Sequence, residues 1–224
     1  MHNKKKAIWH LCYQIFMPQR GYIYLQENKQ IVIASSNKGK LKEFKKIFDG
    51  FEIISQSELG IKDAIEDGKT FFENALIKAR NASYHSGIFS IADDSGLVVP
   101  ELNFEPGIYS ARYSGQNASD GSNRKKIIDE LKKLNKEEAE AFYICALVGI
   151  RNFKDPIPYF STGKIYGKVK ITESGEGGFG YDKIFYPNDI DGSMASLNSE
   201  IKNKISHRAI ATKSFMEQLN LPKI

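Results

Sequence analysis

From Ile31 onward, short apolar runs alternate with stretches whose apolar residues recur every three or four positions. That alternation commits the chain to interleaved strands and helices. Ile31-Val32-Ile33-Ala34 is a continuous apolar run of the kind a buried strand carries. Leu41, Phe44, Ile47 and Phe48 follow at helical spacing and stop at Asp49-Gly50. Residues 51–55 read as a second strand. Thr70-Phe71-Phe72-Glu73 is a capping box that opens a helix through about Tyr84, with Gly87 as its end. Residues 88–92 predict a third strand, and Ile127, Ile128, Leu131 and Leu134 mark another helix. Residues 141–150 form a long apolar strand. Residues 159–171, with Gly163 and Gly167, predict further β-structure with bends. Residues 208–219 form a last helix, with Ser206 as its N-cap. The expected class is α/β with a mixed sheet, in one domain over residues 31–224.

Residues 1–30 read differently. Lys4, Lys5 and Lys6 before a partly apolar run resemble a secretory signal, but His10 and Gln14 interrupt the run and no A-x-A-like site follows. A flexible N-terminal extension is the expectation. The stretch also changes the meaning of the net charge. The chain carries +5, and residues 1–30 hold +4 of it (five cations against Glu27), so the remaining body is nearly neutral. A basic groove for nucleic acid is therefore not expected. No apolar run reaches the length of a membrane span. The two cysteines, Cys12 and Cys145, exclude a disulfide scaffold and a four-cysteine zinc site, and fit a reducing compartment.

Several segments carry candidate chemistry. Ser35-Ser36-Asn37-Lys38-Gly39-Lys40 links a buried strand to a helix, where free N–H groups and small residues suit an anion; it is not a Walker A loop, and an ordinary turn is the competing reading. Asp93-Asp94-Ser95-Gly96 follows the third strand, where α/β sheets place ligands. Adjacent acids there suit Mg2+, although neighbours on an extended chain face opposite ways, and a capped turn is the plain alternative. Glu73, Asn74 and Lys78 lie along the capped helix, and Glu66 and Asp67 precede it with further oxygen ligands. Glu73 reads equally as part of the capping box. The glycine-rich residues 175–182 include Phe179, Gly180, Tyr181 and Asp182; the two rings suit stacking on a flat base, or a core position beside a β-turn. Ser206-His207-Arg208, with Lys202 upstream, combines a helix N-terminus with imidazole and guanidinium, a good binder of anions or carbonyl oxygens. Together these describe a Mg2+-dependent nucleotide enzyme without naming its substrate.

In this order, IVIASSNKGKLKEF, GKTFFENALIKA, IADDSGLVV, PGIYSARYSG, GEGGFGYDKIF and KNKISHRA resemble the inosine/xanthosine triphosphate pyrophosphatase family over nearly all of residues 31–219. The resemblance implies a long mixed β-sheet flanked by helices, with two lobes around a central cleft, and a homodimer in the cytoplasm. It implies hydrolysis of ITP, dITP and XTP to the monophosphate and pyrophosphate, which keeps deaminated purines out of DNA and RNA. Residues 35–40 would hold the triphosphate, with Asn37 and Lys40 on phosphate oxygens and Lys78 as a further cation. Asp94 would accept the proton and bind Mg2+, beside Asp93 and Ser95. Residues 179–182 would hold the base, Phe179 stacking, and Lys202, His207 and Arg208 would close around its 6-oxo group. Three positions depart from the family pattern. Ser35-Ser36-Asn37 replaces T-G-N, Lys183 replaces a proline, and Ile65 stands at the first acid of E-E-T-G, which leaves Glu66 or Glu73 to supply the metal ligand. The alternatives are a related pyrophosphatase for pyrimidine triphosphates and a nucleic-acid-binding protein that uses the basic tail.

Overall fold

The computed structural model describes residues 29–219. Expectations for residues 1–28 of the extension lie outside the described residues. The elements run in the order β1 (Gln30–Ile33), α1 (Lys38–Ile47), β2 (Glu52–Ser55), α2 (Phe71–Ser86), β3 (Ser90–Val98), α3 (Asp120–Lys133), β4 (Glu138–Ile150), β5 (Tyr159–Lys170), β6 (Phe185–Pro187), α4 (Ser199–Ile205) and α5 (His207–Gln218). Short 3-10 turns occupy Pro100–Leu102, Gly107–Arg112 and Met194–Ser196. The helix boundaries follow the capping chemistry. The Thr70 hydroxyl accepts from Glu73 N–H to start α2, and Gly87, left-handed at φ 70°, ends it. Among the described residues no helix is long and apolar enough to cross a membrane.

One six-stranded mixed sheet has the order β2-β1-β3-β4-β5-β6. β1 is parallel to β2 and β3, and β3 through β6 are antiparallel in sequence. Alternation decides which side chain meets which helix. Ile31, Ile33, Ile91, Cys145 and Leu147 face Phe44 of α1, its C-cap Phe48, and Ala211 and Phe215 of α5. Val32, Ala92 and Val148 face Ala75, Ala79 and Ala82 of α2. Farther along the strands a separate core gathers Leu97, Ile127, Leu131, Tyr143, Tyr181 and Phe185. The cleft lies between these two parts of the molecule.

The third strand departs from the expected 88–92. It begins at Ser90 and runs to Val98, so Asp93 and Asp94 sit inside it rather than in a turn beyond it. β4 holds it there, pairing Asp93 with Leu147 and Asp94 with Ala146. β1 pairs with β3 only as far as Ile33 opposite Ile91. Past that point β3 continues without its parallel neighbour, and the cleft opens at the carboxyl end of β1, where sheets of this kind bind ligands.

Candidate active site

The two adjacent acids of β3 point to opposite faces, as extended backbone requires. Asp94 faces α2. Its Oδ2 accepts from Asn74 Nδ2 at 3.2 Å, and its Oδ1 lies 3.2 Å from Lys78 Nζ. Glu66 Oε1 lies 3.2 Å from the same ammonium. Burial raises the Asp94 carboxyl above the ordinary aspartate range, and the nearby Lys78 and Lys40 charges do not cancel that effect. Asp93 is fully enclosed on the other face. Its Oδ2 meets Lys40 Nζ at 2.9 Å and Arg208 Nε at 3.3 Å. Burial opposes its ionisation, but Lys40 and Arg208 outweigh burial and hold Asp93 well below the usual carboxylate range. One dipeptide thus holds two carboxylates of opposite character.

The loop before α1 builds one wall. Asn37 caps the helix, its Oδ1 accepting from Gly39 N–H at 2.9 Å and Lys40 N–H at 3.1 Å. Ser36 Oγ donates to Asp63 Oδ1 at 2.7 Å. Arg208 is almost wholly buried at the first turn of α5. It donates to Asp93, to Ser95 Oγ at 3.1 Å and to Glu43. The guanidinium therefore ties α1, β3 and α5 together, a use for which its rigid fork suits it.

The opposite wall is the glycine-rich loop. Gly178 takes φ 78°, and a Cβ there would come within 2.2 Å of Asp182 Oδ2, so the tight turn excludes a side chain. The freed space lets Asp182 Oδ2 accept from Phe179 N–H at 2.9 Å and pair with Lys202 Nζ at 2.6 Å. Lys202 Nζ also stands 4.7 Å over the Phe179 ring. His207 stacks on Tyr143 with ring centroids 4.9 Å apart and planes 7° from parallel. Burial, reinforced by the Arg208 charge, pushes the imidazole well below its usual range and keeps it neutral.

These walls enclose a cleft of about 350 Å3, within the usual size of a small-ligand site. Of the residues singled out from the sequence, Ser35, Ser36, Asn37, Lys40, Glu66, Lys78, Asp94, Ser95, Phe179, Gly180, Tyr181, Asp182, Lys202, His207 and Arg208 line it. Lys38, Gly39, Asp93 and Glu73 do not. Glu73 is exposed and spends its carboxylate on Lys69 N–H at 2.8 Å and Thr70 Oγ1 at 3.1 Å, which is helix capping. The expected trio of Asp94, Glu66 and Glu73 is therefore not assembled, and no cluster of three such ligands occurs among the described residues. Tyr181 is buried and its hydroxyl donates to Ser110 O at 2.8 Å, so its ring belongs to the core rather than to a stacking face. Glu43, Asp63, Ser110, Asp120, Asn123 and Tyr143 also line the cleft and are not among the residues that the sequence motifs mark. Glu43 had one readable signal, an acid beside the apolar stripe of α1. The others had none that separates them from ordinary loop and strand residues.

The Ham1 family model matches residues 31–218. The dITP/XTP pyrophosphatase of Legionella pneumophila (strain Lens) is 46% identical over 183 residues, covering 82% of this chain and 94% of its own. That of Acinetobacter baumannii (strain ACICU) is 46% identical over 195 residues, covering 84% and 94%. Among solved structures, a HAM1 protein from Coxiella burnetii superposes with a TM-score of 0.80 at 38% identity, covering 85% of this chain and 98% of that one. The Staphylococcus aureus Ham1 protein gives 0.76 at 40% identity, covering 85% and 98%. On the sequence match, the shared mixed sheet and the length of chain covered, this protein belongs to the Ham1 family.

Proposed function

We propose that this protein hydrolyses non-standard purine nucleoside triphosphates (ITP, dITP and XTP) to the nucleoside monophosphate and pyrophosphate. The observation that carries the reading is the placement of Asp94 at the cleft, where Asn74 and Lys78 hold its carboxylate. Its task would be to take a proton from water as the water oxygen bonds to the α-phosphorus. The bond from that phosphorus to the bridging oxygen breaks, and pyrophosphate leaves. Lys40 and Lys78 would face the phosphate oxygens and offset the charge that builds there. The base would lie between Phe179 and the group formed by Lys202, His207 and Arg208. A 6-oxo group accepts where adenine's amino group donates, so donors aimed at that position favour deaminated purines. Among the described residues, three of the five guanidinium N–H groups of Arg208 are taken by Asp93, Glu43 and Ser95.

Mg2+ is the cofactor this reading requires. The donor set fits it: Asp94 and Glu66 converge on one ammonium, each 3.2 Å away, and Mg2+ is commonly held by one or two carboxylates together with substrate phosphates. Asp94 and Glu66 would hold the ion, Glu66 in place of the acid missing at Ile65. Its chemistry would be to polarise the phosphate oxygens. A homodimer in the cytoplasm completes the reading, and light scattering tests the assembly.

A pyrophosphate-release screen over ITP, dITP, XTP, dTTP, UTP and ATP, with and without Mg2+, decides the matter. The expected result is release from the first three that is lost without the metal. Preference for dTTP or UTP would replace the purine reading with the pyrimidine one, and no release from any of them would end it.

A further inference from the structure

We infer that Tyr143 is a positioning residue that sets purine selectivity by holding the His207 ring in one plane. The inference rests on the purine reading above and adds the residue that organises the base-binding wall. Tyr143 projects from the middle of β4, is 7% exposed and lines the cleft. One face of its ring covers His207. Its edge meets Phe185 with centroids 4.7 Å apart and planes at 64°, which leaves the ring little room to turn. Its hydroxyl lies 3.4 Å from Asp182 Oδ1, while Asp182 Oδ2 holds Phe179 N–H and Lys202. The glycine-rich loop and α5 therefore both meet this one tyrosine, and α4 joins them through Lys202 on Asp182.

A histidine at a functional site is usually oriented by a hydrogen bond to one ring nitrogen, which leaves the other for the ligand. Among the described residues, His207 Nδ1 is buried without a hydrogen-bond partner. The near-parallel stack on Tyr143 constrains the imidazole plane. A ring free to leave that plane meets an oxo edge and an amino edge equally well, and selectivity is the difference between the two. Offset aromatic pairs are strong enough to hold the plane.

The test uses the full chain with Tyr143→Phe, which keeps the ring, and Tyr143→Met, which fills the space without one. Steady-state kcat/KM is measured for ITP and ATP. The ITP-over-ATP preference should fall about tenfold in Tyr143→Met and stay within about threefold of wild type in Tyr143→Phe. Equal losses on both nucleotides in a folded Tyr143→Met variant overturn the inference, as does a Phe variant as impaired as Met. A second measurement needs no substitution at Tyr143. The imidazole proton signals of wild-type His207, assigned by their disappearance in His207→Gln, should be shifted upfield by the tyrosine ring. Unshifted signals overturn the inference whether or not ITP is the substrate. A wild-type protein that leaves ITP intact counts against the reaction itself, and the ring shift still judges the stack.

Discussion

At the scale of single residues, Asp93 and Asp94 differ by which way an extended backbone turns them, and their substitutions should differ as sharply. Asp94 prefers its proton more in the folded protein than in the unfolded chain. Between those two affinities the native state binds more protons, so this group stabilises at low pH and loses that contribution as pH rises through its raised folded value. Asp94→Asn removes the cost of ionising it while keeping an oxygen toward Lys78. The variant should unfold at or above the wild-type temperature and lose at least about 100-fold in kcat. A folded, fully active Asp94→Asn protein would rule out the proton-acceptor role. Asp93 runs the opposite way. Its depressed value contributes stability above the unfolded carboxyl range, and that contribution is lost as pH falls through the folded value. Asp93→Asn leaves the buried Arg208 short of a counter-charge, and loss of one partner of such a pair costs about 3–5 kcal/mol. Chemical denaturation of the two variants side by side checks the contrast.

Elements decide how precisely these residues are held. α5 brings His207 and Arg208 to the cleft because it lies directly on β5. A Cβ at Gly163 would stand 2.1 Å from His207 O and 2.5 Å from Ala211 N, both backbone atoms that cannot swing away. Gly163→Ala must therefore push α5 off the sheet. The expected cost is about 1–3 kcal/mol, with a larger loss on ITP than on ATP because the first turn of α5 carries the groups proposed to read the base. Thermal unfolding and the two kcat/KM values measure both effects, and an unchanged protein would mean that α5 is not seated where it is described. The elements were also where the sequence was most legible. Capping at Thr70, Gly87 and Ser206 is local chemistry, and it placed the ends of α2 and the start of α5. β3 extends past its expected end at residue 92 although Asp93-Asp94-Ser95-Gly96 looks like a turn to any local rule. Pairing with β4, and counter-charges supplied from α1, α2 and α5, outweigh that preference.

Across the whole molecule, the cleft is built from contacts that no local rule reaches. Arg208 meets Asp93 at a separation of 115 residues and Glu43 at 165. Motifs could name Asp94 and Arg208 as candidates, but only the fold shows that Arg208 also braces α1, or that Tyr143 lies under His207. The same long-range pairing neutralises the site before any ligand arrives. Lys78 stands between Asp94 and Glu66, Lys40 meets Asp93, and Lys202 meets Asp182. A site that needed a cation to quiet its acids would lose stability on chelation, because a ligand bound to the native state alone adds RT ln(1 + [L]/Kd). Here two acids already share a lysine, so metal alone has little repulsion to relieve. EDTA should abolish pyrophosphate release yet move the melting temperature by no more than about 1 °C, less than the 2–4 °C per kcal/mol typical of a chain this long. Calorimetry with and without chelator, beside the release assay, measures both. A fall of several degrees would show that the ion is part of the folded structure, and that Lys78 does not balance Asp94 and Glu66 unaided.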